Sequence, residues 1–435
     1  MMDYEKLGFK CGIEIHNRLA TEHKLFCKCP PRFSAQEPFK VIKRNLRPAA
    51  GELGQVDIAA MYEYLRKRDF FYQCFEKESC LVECDAEPPH HVNREALHVA
   101  LQICKLLKCK IPDEAQVMRK TVIDGSNTSG FQRTILIGLD GTLQTSLGPI
   151  KITNVCLEEE SAGIVNQENG KVTYRLDRLG IPLIEIGTSP QIQSPEHAKE
   201  VAEKIGMLVR STGKSQRGIG VTRQDINVSI QGGARIEIKG VQELEDIPEI
   251  IENEVKRQLS LIKLKEKTKN LKISKKIYDV SHIFKNSASK IVKGKKVLAF
   301  ILSGFAGLLK TELYPNKHLG SELADYARAY GTKGMIHSDE ELEKYKLEKE
   351  FENLRTELKA NQNDCIVIIA GPNAEQACKA VLERAQKIGE GVPEETRIAK
   401  GTGTVYTRPL PGGERMYPET DVTVSYTHLT LPTKA

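Results

Sequence analysis

A break in texture constrains the fold of this chain more than any other feature. Residues 256–276, KRQLSLIKLKEKTKNLKISKK, hold much of the net charge of +6. A run this basic is either a solvated helix end leading into a linker or an arm for an acidic partner such as RNA. Either way it divides the chain into an N-terminal and a C-terminal part. The chain has 435 residues, more than one hydrophobic core organises, so two or three domains are expected.

The N-terminus MMDYEKLGFK has no apolar h-region, and runs such as Val297–Leu302 and Cys365–Ala370 are too short to span a bilayer. A cytoplasmic protein with no membrane association is expected. Eleven cysteines, an odd number in a reducing context, argue against a disulfide framework.

Before the basic run, strands and helices mix. Asn93 is a candidate N-cap for a helix whose stripe is Ala96, Leu97, Ala100, Leu101, Cys104 and Leu107. Ser194, Pro195 and Glu196 start a second helix, which Gly213 ends. Strands are predicted around Phe9–His16, Ile181–Ile186, Arg223–Ile230 and Arg235–Lys239. After the basic run come LAFILSGFAGLL, SELADYARAYG and the strand–helix unit CIVIIAGPNAEQACKAVLERAQKIG, which read as a separate α/β module. The expected domains are 1–265, an inserted 266–404, a return over 405–423, and a non-native, adapter-derived tail at 424–435. In that tail, VSYTHLTLPTKA has no core pattern.

The chemistry lies on polar strand faces. Alternation puts Cys11, Ile13 and Ile15 on one side of the first strand, and Glu14 and His16 on the other. A carboxylate and an imidazole so spaced can share a divalent ion, although a solvent-facing strand would show the same pair. Glu158, Glu159 and Glu160 repel one another unless solvated or bound to a cation. Glu185, inside apolar PLIEI, is costly to bury without a partner. Glu14, His16, one or two of the triple acids and Glu185 therefore form a candidate Mg²⁺ site.

Arg223, Asp225 and Asn227 share one strand face, and Glu237 and Lys239 line the strand that returns after Gly232-Gly233. Together they suit a phosphate clamp beside a second cation site, or a solvated hairpin. Arg119-Lys120 and the loop DGSNTSGFQRT add groups suited to an anion or substrate. Cys27 and Cys29 with Cys80 and Cys84 have spacings that could make a four-thiolate Zn²⁺ site. No GxSxG, no Walker lysine loop and no Cys/His pairing recommends a covalent nucleophile.

The series GIEIH, LEEESAG, YRLDRLGIPLIEI, TRQDINVSI, RIEIKGVQELEDI and RMYPETD resembles the B/E family of tRNA-dependent amidotransferase subunits, over nearly all of residues 5–421. DVSHIFKNSASKIV, SGFAGLL and GSELADYARAYGTKGMIHSDE resemble the insertion of the E branch, found in archaeal Glu-tRNA(Gln) amidotransferases. The resemblance implies an α+β cradle related to glutamine synthetase and guanidino kinases, with an inserted α/β domain similar to one in bacterial aspartyl-tRNA synthetases. It implies a ligase: ATP and Mg²⁺ activate the γ-carboxylate of glutamate on Glu-tRNA(Gln). Ammonia from an asparaginase-like partner, the D-type subunit, in a heterotetramer, then gives Gln-tRNA(Gln). By family motif Glu14, His16, Glu185 and Glu160, or Glu159 in its place, would be catalytic metal ligands. Arg223, Asp225, Asn227, Glu237 and Lys239 would lie on the nucleotide side. Helical and tail domains that engage tRNA should follow RMYPETD in the family, and here they do not. A non-catalytic tRNA-binding scaffold and a small-molecule carboxylate–amine ligase are the rival expectations.

Overall fold

The computed structural model describes residues 2–50, 54–168, 170–412 and 416–427. The protein is mixed α+β. It forms two compact units: one of residues 1–227, 237–248 and 408–435, the other of residues 228–236 and 249–407. The longer segment of the second starts at Glu249, inside the helix Ile247–Thr268, rather than after the lysine-rich run. Leu261 and Leu264 explain this, because both are fully buried while Lys263, Lys267 and Lys269 of the same run face solvent.

The first unit is built on a sheet whose strands are β1 (Lys10–Arg18), β2 (Val117–Thr121), β3 (Phe131–Thr145), β4 (Gly148–Glu159), β5 (Pro182–Thr188), β6 (Thr222–Ser229), β7 (Ile236–Val241) and β8 (Met416–Pro418). Their spatial order is β8-β2-β3-β4-β5-β1-β6-β7. From β8 through to β1 every neighbouring pair is antiparallel.

Cys11, Ile13 and Ile15 of β1 are buried, as are Ile184 and Ile186 of β5. Helices Arg94–Leu106 and Pro195–Ser211 belong to this unit. Asn93 Oδ1 accepts from Ala96 N at 3.1 Å, and Ser194 Oγ from His197 N at 3.1 Å. Both are the caps expected from side chains that satisfy otherwise orphaned amides. A smaller sheet of Lys40–Arg44, Asp69–Cys74, Gly163–Glu168 and Lys171–Arg175 packs Phe70, Tyr72, Val172 and Tyr174.

RMYPETD returns to the main sheet through β8, where Tyr417 lies opposite Arg119. The start of the segment expected to be a tail is also paired. Ser425–Tyr426 is antiparallel to Glu114–Ala115, and Thr427 N donates to Asp113 O at 3.0 Å. Leu429 and Leu431 lie outside the described residues.

The second unit holds a four-stranded sheet ordered Tyr278–Asp279, Val297–Leu302, Cys365–Ala370, Ile336–His337. Phe284, Val297, Ala299, Phe351, Leu354, Ile366 and Ile368 form its core. Helices Leu319–Arg328 and Ala374–Lys387 belong to this unit, and the first of them enters a buried ion network. Fully buried Arg257 donates to Glu322 at 2.7 Å and to Glu254 at 2.8 Å, and fully buried Arg397 to Glu322 at 2.8 Å. Arg257 is therefore a core residue rather than part of the solvated basic run. Such pairs are stable only because every charge has a partner.

Candidate active site and metal-ligating groups

Strand register brings one group of polar side chains to one face of the main sheet. His16 lies opposite Glu185, Glu185 opposite Cys156, and Glu158 opposite Thr134. Opposed residues of antiparallel strands share a face, and side chains two apart along a strand share it too. His16, Glu185, Glu158 and, through β2, Lys120 thus project together, with Glu14 opposite Gly187 on the same side.

His16 Nε2 and Glu185 Oε2 are 3.2 Å apart, and Asn154 Nδ2 donates to Glu185 Oε1 at 3.2 Å. Lys120 Nζ donates to Glu158 Oε1 at 2.7 Å and stands 3.5 Å from Glu185. Thr134 Oγ1 and Gln132 Nε2 donate to the same Glu158 carboxylate at 2.8 and 3.1 Å. Ligating atoms of His16, Glu158 and Glu185 all lie within 4.8 Å of one another.

A second triplet adjoins it. Glu14, Asp225 and Glu237 offer oxygens within 4.8 Å of one another. Lys239 Nζ bridges Asp225 and Glu237 at 2.7 and 2.8 Å, and Gly240 N donates to Asp225 Oδ1 at 3.1 Å. Asn227 Nδ2 reaches Glu14 Oε1 at 3.4 Å.

The electrostatics follow from five carboxylates among three cations. Burial raises Glu14 to about 7, helped by the Glu185 charge and opposed by Lys239. Burial alone would lower His16, but its bond to Glu185 and the charge of Asp225 raise it to about 9. Burial opposes ionisation of Glu185 too, yet Lys120 and His16 hold it well below the usual range. A net-acidic, poorly solvated place that holds Glu14 partly protonated is what a hard dication offsets, so the Glu14/Asp225/Glu237 oxygens fit Mg²⁺, and His16 can join Glu158 and Glu185 as a ligand once it gives up its proton.

The other acids expected here go elsewhere. Glu160 lies beyond the end of β4, where Arg223 takes its two oxygens at 2.7 and 2.9 Å and Arg178 adds a contact at 3.0 Å. Against the cost of burial, these two arginines bring it down to about 2. Glu159, one residue from Glu158 on β4, projects from the opposite face and pairs with Arg133 at 3.1 Å. Glu158 therefore occupies the place expected for Glu160 or Glu159. Arg223 is likewise engaged by Glu160 instead of standing open beside Asp225 and Asn227.

Arg119 and Lys120 separate in the same way. Lys120 joins the site, and Arg119 meets Glu419 of RMYPETD at 2.5 Å on the other face, with Arg133 holding Glu419 at 2.8 Å. The loop from Asp124 is closed rather than open to an anion: Asn127 and Thr128 are buried, and Thr128 Oγ1 donates to Glu83 O at 2.7 Å. Lys120, Gln132, Thr134, Asn154 and Glu158 are the site residues that single-strand reading undervalued, since only cross-strand register gathers them.

Among the cysteines, Cys27, Cys29 and Cys80 converge, but Glu83 rather than Cys84 completes the group within 4.8 Å. Cys27 Sγ is 2.9 Å from Glu83 Oε1, and Cys80 N donates to Glu83 Oε2 at 2.8 Å. A turn from Cys80 to Cys84 brings Glu83 back over Cys80 and sends Cys84 to Cys74, 3.7 Å away. Hydrogen bonds from Cys27 and Cys80 lower Cys29 to about 4, the thiolate form that a soft cation takes.

The chain is similar to known proteins over most of its length. The GatB/GatE catalytic domain family matches residues 9–428. The E subunit of the glutamyl-tRNA(Gln) amidotransferase of Methanocaldococcus jannaschii is 48% identical over 97% of this chain and 69% of its own length. Those of Archaeoglobus fulgidus and Methanothermobacter thermautotrophicus are each 49% identical over 97% of this chain, and over 70% and 69% of their own lengths. Among the described residues no helix is long and apolar enough to cross a membrane. With that match and relatives 48–49% identical over 97% of its length, the chain belongs to the GatB/GatE catalytic domain family.

Proposed function

We propose that this chain is the activating subunit of a tRNA-dependent amidotransferase, converting Glu-tRNA(Gln) to Gln-tRNA(Gln). A carboxylate is a poor acyl donor because oxide does not leave, so the γ-carboxylate is first phosphorylated. Its oxygen bonds to the γ-phosphorus of ATP as the bond to ADP breaks. Ammonia then adds to the acyl carbon, phosphate departs, and the nitrogen loses a proton. The two triplets, Glu14/Asp225/Glu237 and His16/Glu158/Glu185, would hold Mg²⁺, which when bound neutralises charge on the phosphates. Lys120 positions Glu158 and keeps Glu185 ionised, and Lys239 positions Glu237 and keeps Asp225 ionised. Asn154 orients Glu185. Arg223, linked to Glu160, lies at the edge where nucleotide phosphates would enter.

The observation that carries this reading is five carboxylates, three buried and two half-buried, gathered with three cationic side chains on the main sheet. Reactions of this kind are served by positioning and charge more than by a nucleophile. Ammonia would come from an asparaginase-like partner in a cytoplasmic heterotetramer. The first unit would be the cradle, and residues around 266–404 the inserted domain similar to that of aspartyl-tRNA synthetases. Cys27, Cys29, Cys80 and Glu83 would hold a structural Zn²⁺. The test is ATP hydrolysis with three additions in turn: Glu-tRNA(Gln), uncharged tRNA, and free glutamate. Stimulation by the first alone is expected. Equal stimulation by free glutamate would favour a small-molecule ligase, and no turnover a binding scaffold.

A further inference from the structure

A different group of ligating side chains lies in the second unit, at the edge of its four-stranded sheet. His337 ends the short edge strand and lies opposite Val367, while Cys365 begins the neighbouring strand. Ser338 N donates to Ile366 O at 2.9 Å, so the chain leaving His337 stays against the sheet. Glu340 N then donates back to His337 O at 3.0 Å, a turn that folds Asp339 over Cys365. An imidazole nitrogen of His337, an Asp339 oxygen and the Cys365 sulfur thereby all come within 4.8 Å of one another.

We propose that His337, Asp339 and Cys365 form a binding site for a thiophilic divalent cation of the Zn²⁺ class. The Cys365 sulfur, with nitrogen and oxygen beside it, favours such an ion over Mg²⁺, which prefers oxygen and does not take thiolate.

A second observation, independent of the clustering, points to a missing ligand. His337 is 5% exposed, yet its Nδ1 has no hydrogen-bond partner. A buried polar atom left unpaired costs about 1–3 kcal/mol, which a coordinate bond would recover. The ring is also held rather than loosely placed. Gly320 lies against it so closely that a Cβ there would come within 2.4 Å of Nε2. Glu340 Oε1 contacts Nε2 at 3.3 Å, and Gly307 N fixes Asp339 Oδ2 at 2.8 Å. Ser338 Oγ donates to Cys365 Sγ at 3.5 Å. Supporting bonds of this kind orient ligands in metal sites. Asp339 and Glu340 are half-buried, so the ion has a path from solvent and room for a water as its fourth ligand.

Cobalt(II) titration of the chelator-treated, reduced full chain tests the proposal. Thiolate-bound cobalt absorbs by sulfur-to-metal charge transfer, and ions bound per chain are counted at saturation. Cys365→Ser and His337→Gln are each expected to bind one ion fewer than wild type, and Asp339→Asn to bind it roughly 10-fold more weakly or worse. Cys29→Ser, which alters the separate cysteine group of the first unit, should keep the Cys365 absorbance. An unchanged count in both His337→Gln and Cys365→Ser overturns the proposal. Should Cys365→Ser fail to fold, the count for His337→Gln decides, with Asp339→Asn as the milder check. Zn²⁺ should raise the melting temperature of Cys29→Ser but not of the Cys29→Ser, His337→Gln double variant, and an equal rise in both would also contradict it.

Discussion

Three successive glutamates show how far a residue's role depends on parity. Glu158 faces Lys120, Thr134 and Gln132; Glu159 faces Arg133; Glu160 faces Arg223 and Arg178. The sequence announced that three adjacent acids need cations, and each has one. Which of them joins His16 and Glu185 depends on the pairing of β3, β4 and β5, and pairing is set by contacts far apart in sequence. Glu160→Ala is expected to leave two arginines facing each other and to cost about 3 kcal/mol in denaturant unfolding. Glu158→Gln keeps one oxygen to accept from Thr134 and Lys120, and Lys120 keeps Glu185 at 3.5 Å, so it should cost less than Glu160→Ala and be felt in activity instead. The reverse ranking would place Glu160 in the chemistry and Glu158 in the scaffold.

At the scale of elements, the strands were legible because alternation is local. Cys11, Ile13 and Ile15 are buried while Glu14 and His16 share the other face, as period two requires. The caps at Asn93 and Ser194 were legible for the same reason. The cysteine group was half legible: the turn from Cys80 substitutes Glu83 for Cys84, a choice that spacing alone leaves open. Close approach between strands was not legible at all. Gly187 lies opposite Asn154, and a Cβ on it would come within 2.4 Å of Asn154 Oδ1. Gly187→Ala should therefore push Asn154 off Glu185 and lower ATP turnover with little change in melting temperature. A variant with unchanged turnover would show that Asn154 does not orient the carboxylate.

For the whole molecule, the longer segment of the second unit starts at Glu249, ahead of the basic run, and the buried Leu261 and Leu264 of helix Ile247–Thr268 lie within it. That unit's stability is tied to Glu322. Burial opposes its ionisation, but Arg397 and Arg257 hold its carboxyl below the ordinary value of 4.5. A group depressed in the folded state contributes fully above its unfolded value and loses that contribution as pH falls below it. Melting temperature should then fall from about pH 4.5 downward, and Glu322→Gln should flatten that decline while lowering stability at neutral pH. Equal slopes in the two proteins would remove Glu322 from the account.

On the proposed function, the carboxylates gathered on the main sheet serve phosphoryl transfer to a tRNA-borne glutamate. Its most direct test is the rate of ATP hydrolysis stimulated by Glu-tRNA(Gln) in wild type and Glu185→Gln, with the fold checked by circular dichroism. A loss of at least about 100-fold with an intact fold is predicted. Wild-type rates in Glu185→Gln would contradict it and return the whole face to structure.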